Sequence, residues 1–249
     1  MAEQRKSFED TIRATVERLG PGASELLAGL KTRGAEVREQ FKSGCGHALE
    51  GHMLVTGAIR SAMLRHNGKP GKTSESVSKR LLLIASFVQG IDLTETSISE
   101  GFYLQAAALL KQELETVAAL VEVGGGKRNE KRTPNVGVVP WDLGQLYGAL
   151  NEAAHVSESS VQQTILGMDK MGSALPVALE PSYRKDTANN LYGLHVALLA
   201  LLLLELHGLH EEMYGTGLDE AEMIALRIAI EFLVKDGFIK EPPTEASKL

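Results

Sequence analysis

The chain holds a single cysteine, Cys45, among 249 residues, so no intrachain disulfide can form and a cysteine-stapled fold is excluded. Aromatic residues make up only 5%, which leaves the core to Leu, Ala, Val and Ile. Regular alternation of apolar and polar residues, the mark of a half-buried strand, is missing. Val136–Val139 is the one short piece that reads as extended, and nothing obvious pairs with it. No self-similarity occurs at solenoid periods. Met1 to Asp10 is charged and lacks the apolar centre of a secretory signal. The most apolar stretch, Leu191–Leu204, is about 14 residues long, against the roughly 20 that span a bilayer. It carries His195 and runs into Glu205 and His207, so a buried core helix is expected and no membrane partner. The net charge of -6 argues against a surface that coats nucleic acid. With 43% hydrophobic and 23% charged residues, the expectation is a globular, cytoplasmic protein.

What is present is helical periodicity. Phe8, Ile12, Val16 and Leu19 recur at three- and four-residue steps until Gly20-Pro21-Gly22, where a helix stop is expected. A second helix is predicted over 24–41, with Leu26, Leu27, Leu30 and Val37 facing inward, and a third over 47–65. Asn67-Gly68-Lys69-Pro70-Gly71-Lys72 reads as a linker. A helix starting near Ser74 is expected to end near Gly90. Ser97 and Glu100 have the spacing of a capping box for a long helix that Gly124-Gly125-Gly126 terminates. Helix is expected again over 141–156, after Ser159 with Gln162 as a capping pair, over 183–214, and after Asp219. The fold class is therefore all-α: a bundle of about eight or nine helices without significant sheet. Its expected parts are an N-terminal helical arm over 1–66, a main bundle over 74–240 and a frayed tail over 241–249.

Several residue groups have the right chemistry for a site. Gly68-Lys69-Pro70-Gly71-Lys72-Thr73 ends like a phosphate-binding loop, but His66 stands where the first glycine belongs and a helix precedes it, so it reads as a basic linker. Cys45, His47, Glu50 and His52 are metal-ligand types. His47 and Glu50 share a helix face, but His52 lies about 140° from His47, and no metal or other cofactor is assigned. His207, His210, Glu211 and Tyr214 share one stripe, which reads as a polar face where an apolar helix leaves the core. Lys111 and Glu115 lie at i and i+4 in an apolar helix. Tyr147, Asn151 and His155 lie at i, i+4 and i+8 in the next long helix. Polar groups on a mostly buried face need partners, so these five are expected to meet in a network. The run Lys127, Arg128, Lys131 and Arg132 could touch an RNA backbone.

Two resemblances follow from these residues. Arg60-Ser-Ala-Met-Leu-Arg65-His66 fits the Arg-x(4–6)-His spacing of the HEPN ribonucleases, helical domains common in bacterial toxins and phage defence. The resemblance implies a metal-independent ribonuclease, with His66 moving the proton of a 2′-hydroxyl and Arg60 stabilising the charge on the phosphate. Separately, Gly101-Phe102-Tyr103-Leu104 with Leu109-Leu110-Lys111-x-x-x-Glu115, then Tyr147-x-x-Leu150-Asn151-x-x-x-His155, resembles paired helices of uncharacterised bacterial domains related to abortive-infection and HEPN-like proteins. Lys111 stands where those domains carry arginine, and Asn151 where they carry serine. This resemblance implies an all-α fold and a link to bacterial stress or phage defence. No complete catalytic motif is present. The reading is therefore a non-catalytic helical interaction protein that binds a protein partner or itself, through the apolar helices around Leu191–Leu209 or Met223–Val234. A HEPN-type ribonuclease acting through Arg60 and His66 is the alternative.

Overall fold

The computed structural model describes residues 2–155 and 179–240, with side chains from residue 8 onward. Its described residues form seven α-helices and two short 3-10 turns, and no strand. The helices are α1 (Ala2–Gly44), α2 (Ala48–Arg65), α3 (Glu75–Ser99), α4 (Tyr103–Gly124), α5 (Tyr147–Ala154), α6 (Lys185–Tyr214) and α7 (Glu220–Lys235). The helix expected after Ser159 and the tail over 241–249 lie outside the described residues.

The fold is organised around α6. Every residue from Tyr192 to Leu203 is buried, so this length of the helix has no solvent face. A helix that is apolar around its whole girth must be surrounded. The helices α2, α3, α4 and α7 do this. Both α3 and α6 are long and apolar enough to cross a membrane by length and composition, but 72% of the most apolar part of α6 is buried inside the fold. The stretch Leu191–Leu209 is thus taken up by the chain's own core. Of α7, Leu226, Ala229 and Leu233 are buried and Ile224 faces out.

Paired contacts fix the helix directions. Tyr103 meets the backbone of Arg184, and Glu113 meets His195, so α4 runs parallel to α6. The rings of His52 and His195, then of His66 and His210, set α2 parallel as well. Arg65 with Glu222 and His47 with Asp236 set α7 antiparallel to α2. Between α6 and α7 the chain turns at Gly215, whose φ of 77° favours glycine. Asp219 and Glu222 then close a reciprocal capping box that starts α7.

Three helix boundaries differ from expectation. Gly20-Pro21-Gly22 does not stop α1, which runs unbroken through Pro21 for 43 residues. Among the described residues only its last third joins the body, through buried Val37 and Phe41 and through Arg38 with Glu95 of α3 and Glu100 just beyond it. Leu26 and Leu27, expected inward, face solvent. Likewise, α3 passes through Gly90 to Ser99. Ser97 there bonds back to the Leu93 carbonyl instead of capping a new helix, and the turn comes at Gly101, at a φ of 84° and packed against Val37 and Pro181. The helix expected from Trp141 begins only at Tyr147, because Trp141 and Asp142 both adopt left-handed backbone that α-helix cannot include. Val136–Val138, read as extended, is a 3-10 turn.

Candidate functional site

The sequence-derived candidates separate into those the fold joins and those it does not. Tyr147 donates to Glu115 Oε1 at 2.7 Å, and Lys111 Nζ lies 3.9 Å from the same oxygen and 5.6 Å from the centre of the Tyr147 ring. These three meet where α4 and α5 pack. The Asn151 carbonyl accepts from the His155 backbone, and the His155 side chain is exposed, away from that contact. Arg60 is exposed on α2, and no ion pair or hydrogen bond joins it to His66 among the described residues. His66 instead stacks on Tyr214, ring centres 4.0 Å apart, with its edge partner His210 at 5.0 Å.

Other candidates are taken up by helix contacts. His47 turns to α7, 3.1 Å from Asp236 and stacked on Phe232. Cys45 is buried, its thiol pushed up first by that burial. His207 Nδ1 accepts the Leu218 amide at 3.0 Å and holds the turn into α7. In the basic run, Arg128 folds onto Glu122 at 3.3 Å and onto the Asn129 and Arg132 carbonyls, while Lys127, Lys131 and Arg132 are exposed. Among the described residues no three His, Cys, Asp or Glu side chains are grouped to hold a metal ion.

The polar feature that sequence reading missed lies inside the apolar centre of α6. His195 is 0% exposed, and its Nδ1 donates to Glu113 Oε2 at 2.9 Å. His52 faces it at 5.3 Å between ring centres, and the His52 ring in turn leans on Tyr192 at 5.5 Å. Glu113 Oε1, the Nε2 atoms of His195 and His52, and the Tyr192 hydroxyl have no described protein partner. Burial, then the neighbouring His195, pushes His52 down to about 4. At the far end of α6, burial followed by His66, Arg65 and His207 pushes His210 down to about 4. A carboxylate that orients an imidazole is a general-base arrangement. Here it has no outlet. The larger described cavity, about 820 Å³, is lined by Ala107, Leu150, Leu194 and Phe238, with Lys185 and Asp236 at its polar side, and by none of these four polar residues.

The other unusual surface is on α1. Phe8, Ile12, Val16, Leu19, Leu26 and Leu27 are 47–65% exposed along one side of the helix. The same stripe continues as Val37 and Phe41, which are buried in the body. At 100° per residue, Phe8, Ile12, Val16, Leu19, Ala23, Leu26, Leu30, Val37 and Phe41 fall within a sector of about 80°. Periodicity located this stripe, but it could not tell which part the body would cover. No protein family, curated protein or solved structure was found to match the chain.

Two outcomes follow for the buried histidines. Glu113→Leu or His195→Leu alone strands the other polar group in the core and should cost about 3–5 kcal/mol in urea unfolding. The double variant should recover at least half of that loss. Additive losses would contradict the pairing. Because His52 and His210 resist protonation in the fold, the unfolded chain binds more protons between 6.5, the ordinary imidazole value, and about 4. Stability should fall as the pH drops through that window, by about 1.5 kcal/mol at each site between pH 6.5 and 5. A His52→Phe/His210→Phe variant should lose most of that slope in unfolding midpoints, and an unchanged slope would refute the assignment.

Proposed function

We propose that the chain is a non-catalytic helical interaction protein of the bacterial cytoplasm, and that the projecting part of α1 is its binding element. The carrying observation is the apolar stripe from Phe8 to Leu27, which emerges from the core and continues along an exposed helix. Scattered apolar residues on a surface are ordinary, but a contiguous helical stripe marks a contact face. Amphipathic helices bind through anchors at i, i+3, i+4 and i+7, the spacing this stripe keeps.

The energetics support the same reading. Gly20, Pro21 and Gly22 lie in this part of α1. Each glycine disfavours helix by about 1 kcal/mol relative to alanine, and proline by about 3 kcal/mol. Described packing over residues 8–28 does not offset this, since almost every residue there is exposed. Helices of this length are marginal in water without tertiary contacts. A partner covering the stripe supplies the missing burial, at about 25 cal/mol per Å². The walled-off Glu113–His195 pair and the separation of Arg60 from any His66 contact favour interaction over catalysis. The placement in stress or phage defence rests on the family resemblance of the α4 and α5 segments.

A photo-crosslinking amino acid at Leu19 tests the reading in a bacterial cell expressing the chain. Protein adducts should form at Leu19 and be several-fold weaker at Leu82, which is 72% exposed on α3 but outside the stripe. Equal labelling at the two positions would contradict it.

A further inference from the structure

We infer that the stripe on α1 is covered by the same stripe of a second copy, paired antiparallel about a two-fold axis near Pro21. The inference rests on the interaction reading above and names its partner. Three features of α1 carry it.

The first is register. Val16, Leu19, Ala23 and Leu26 follow 3-4-3 spacing, the pattern of paired helices. An antiparallel copy centred on Pro21 sets Val16 opposite Leu26 and Leu19 opposite Ala23, and the two-fold repeats each layer. Gly20 and Gly22 flank the axis with nothing within 4 Å of a Cβ built there. Small residues at that point let two backbones approach closely. Pro21 itself lies on the opposite side of the helix from the stripe, at 100° per residue. Its missing N–H therefore faces away from the partner.

The second is charge. Glu9 and Asp10 lie toward the outer end of the stripe, with Arg13 beside them, and Lys31 and Arg33 at the end nearest the body, where Arg33 also bonds Glu36. At the register centred on Pro21, antiparallel pairing sets Glu9 of one copy at the height of Arg33 of the other. Parallel pairing would stack like charge on like charge.

The third is space and area. The exposed run over residues 8–28 is about 30 Å long. An antiparallel pair carries its two bodies at opposite ends of that rod, whereas a parallel pair would place both at one end. The six exposed stripe side chains present on the order of 400 Å² of apolar surface per chain. Interfaces are just over half apolar, so two copies would bury about 1,400 Å² in all, within the lower part of the range for a stable interface.

The test uses the full-length chain. Sedimentation equilibrium should give a dimer with a Kd in the micromolar range. Val16→Glu/Leu26→Glu should raise that Kd at least about 100-fold while the thermal midpoint of the body stays unchanged. Orientation is read with a nitroxide on Asp10→Cys in a Cys45→Ala background. Antiparallel pairing predicts a separation of about 35 Å between the two labels. The same label on Gly22→Cys should report less than about 20 Å. A dimer with a short distance at both positions would overturn the antiparallel arrangement, and a dimer indifferent to the Val16 and Leu26 changes would overturn the surface. A chain that stays monomeric to about 100 µM would overturn the inference, including one that sediments with anionic lipid vesicles. If that monomer is still crosslinked to a different protein through Leu19 in cells, the interaction reading stands and only the second copy is excluded.

Discussion

A helical stretch without a polar face has to be surrounded, and the described fold follows from meeting that requirement for the middle of α6. Twelve consecutive residues, Tyr192 to Leu203, are buried. The helices α2, α3, α4 and α7 pack on this one, and contacts at matched heights along it set the directions of α2 and α4. The chain thereby uses its most apolar segment as an internal axis, and the surface is left to the outer faces of α2, α3, α7 and the long α1. With so few aromatic residues, the packing depends on the close fit of Leu, Ala and Val side chains.

That axis carries a cost at its centre. His195 and Glu113 place an imidazole and a carboxylate where hydrocarbon would otherwise pack. Buried pairs of this kind are weak sources of stability, since desolvation cancels most of the attraction. They do restrict register, because sliding α4 or α6 by one turn would leave both groups unpaired. His52 from α2 adds a third element to the same level of the bundle. The cluster thus ties three helices at one height, and the His66–His210–Tyr214 stack repeats the tie for α2 and α6 about four turns further on.

Much of the architecture was legible in the residues. The helix starts near Ser74 and after Asp219 and the stop at the glycines after Val123 depend on local signals, so spacing alone located them. The misreadings share a cause: a local signal competed with context at a distance. Pro21 breaks a helix only if the chain has somewhere better to go, and in α1 both flanks keep helical geometry. Glu100 pairs with Arg38 across to α1 instead of reaching back to a cap. Candidate chemistry was less legible. Lys111, Glu115 and Tyr147 could be brought together by reasoning on faces of neighbouring helices, whereas His195 read only as an interruption in an apolar run. Its partner is 82 positions away, and no local pattern encodes that distance.

The same contrast separates the two apolar features of the chain. In α6 the apolar surface is consumed internally; in α1 it extends beyond the body to which Val37 and Phe41 anchor it. Backbone hydrogen exchange at two protein concentrations addresses that difference most directly. Amides of Leu194–Leu203 should exchange only with global unfolding at any concentration. Amides over residues 8–28 should exchange fast in dilute protein and become protected as the concentration rises into the micromolar range. Protection over residues 8–28 that does not change with concentration would contradict the account, because the helix would then be stable without a partner.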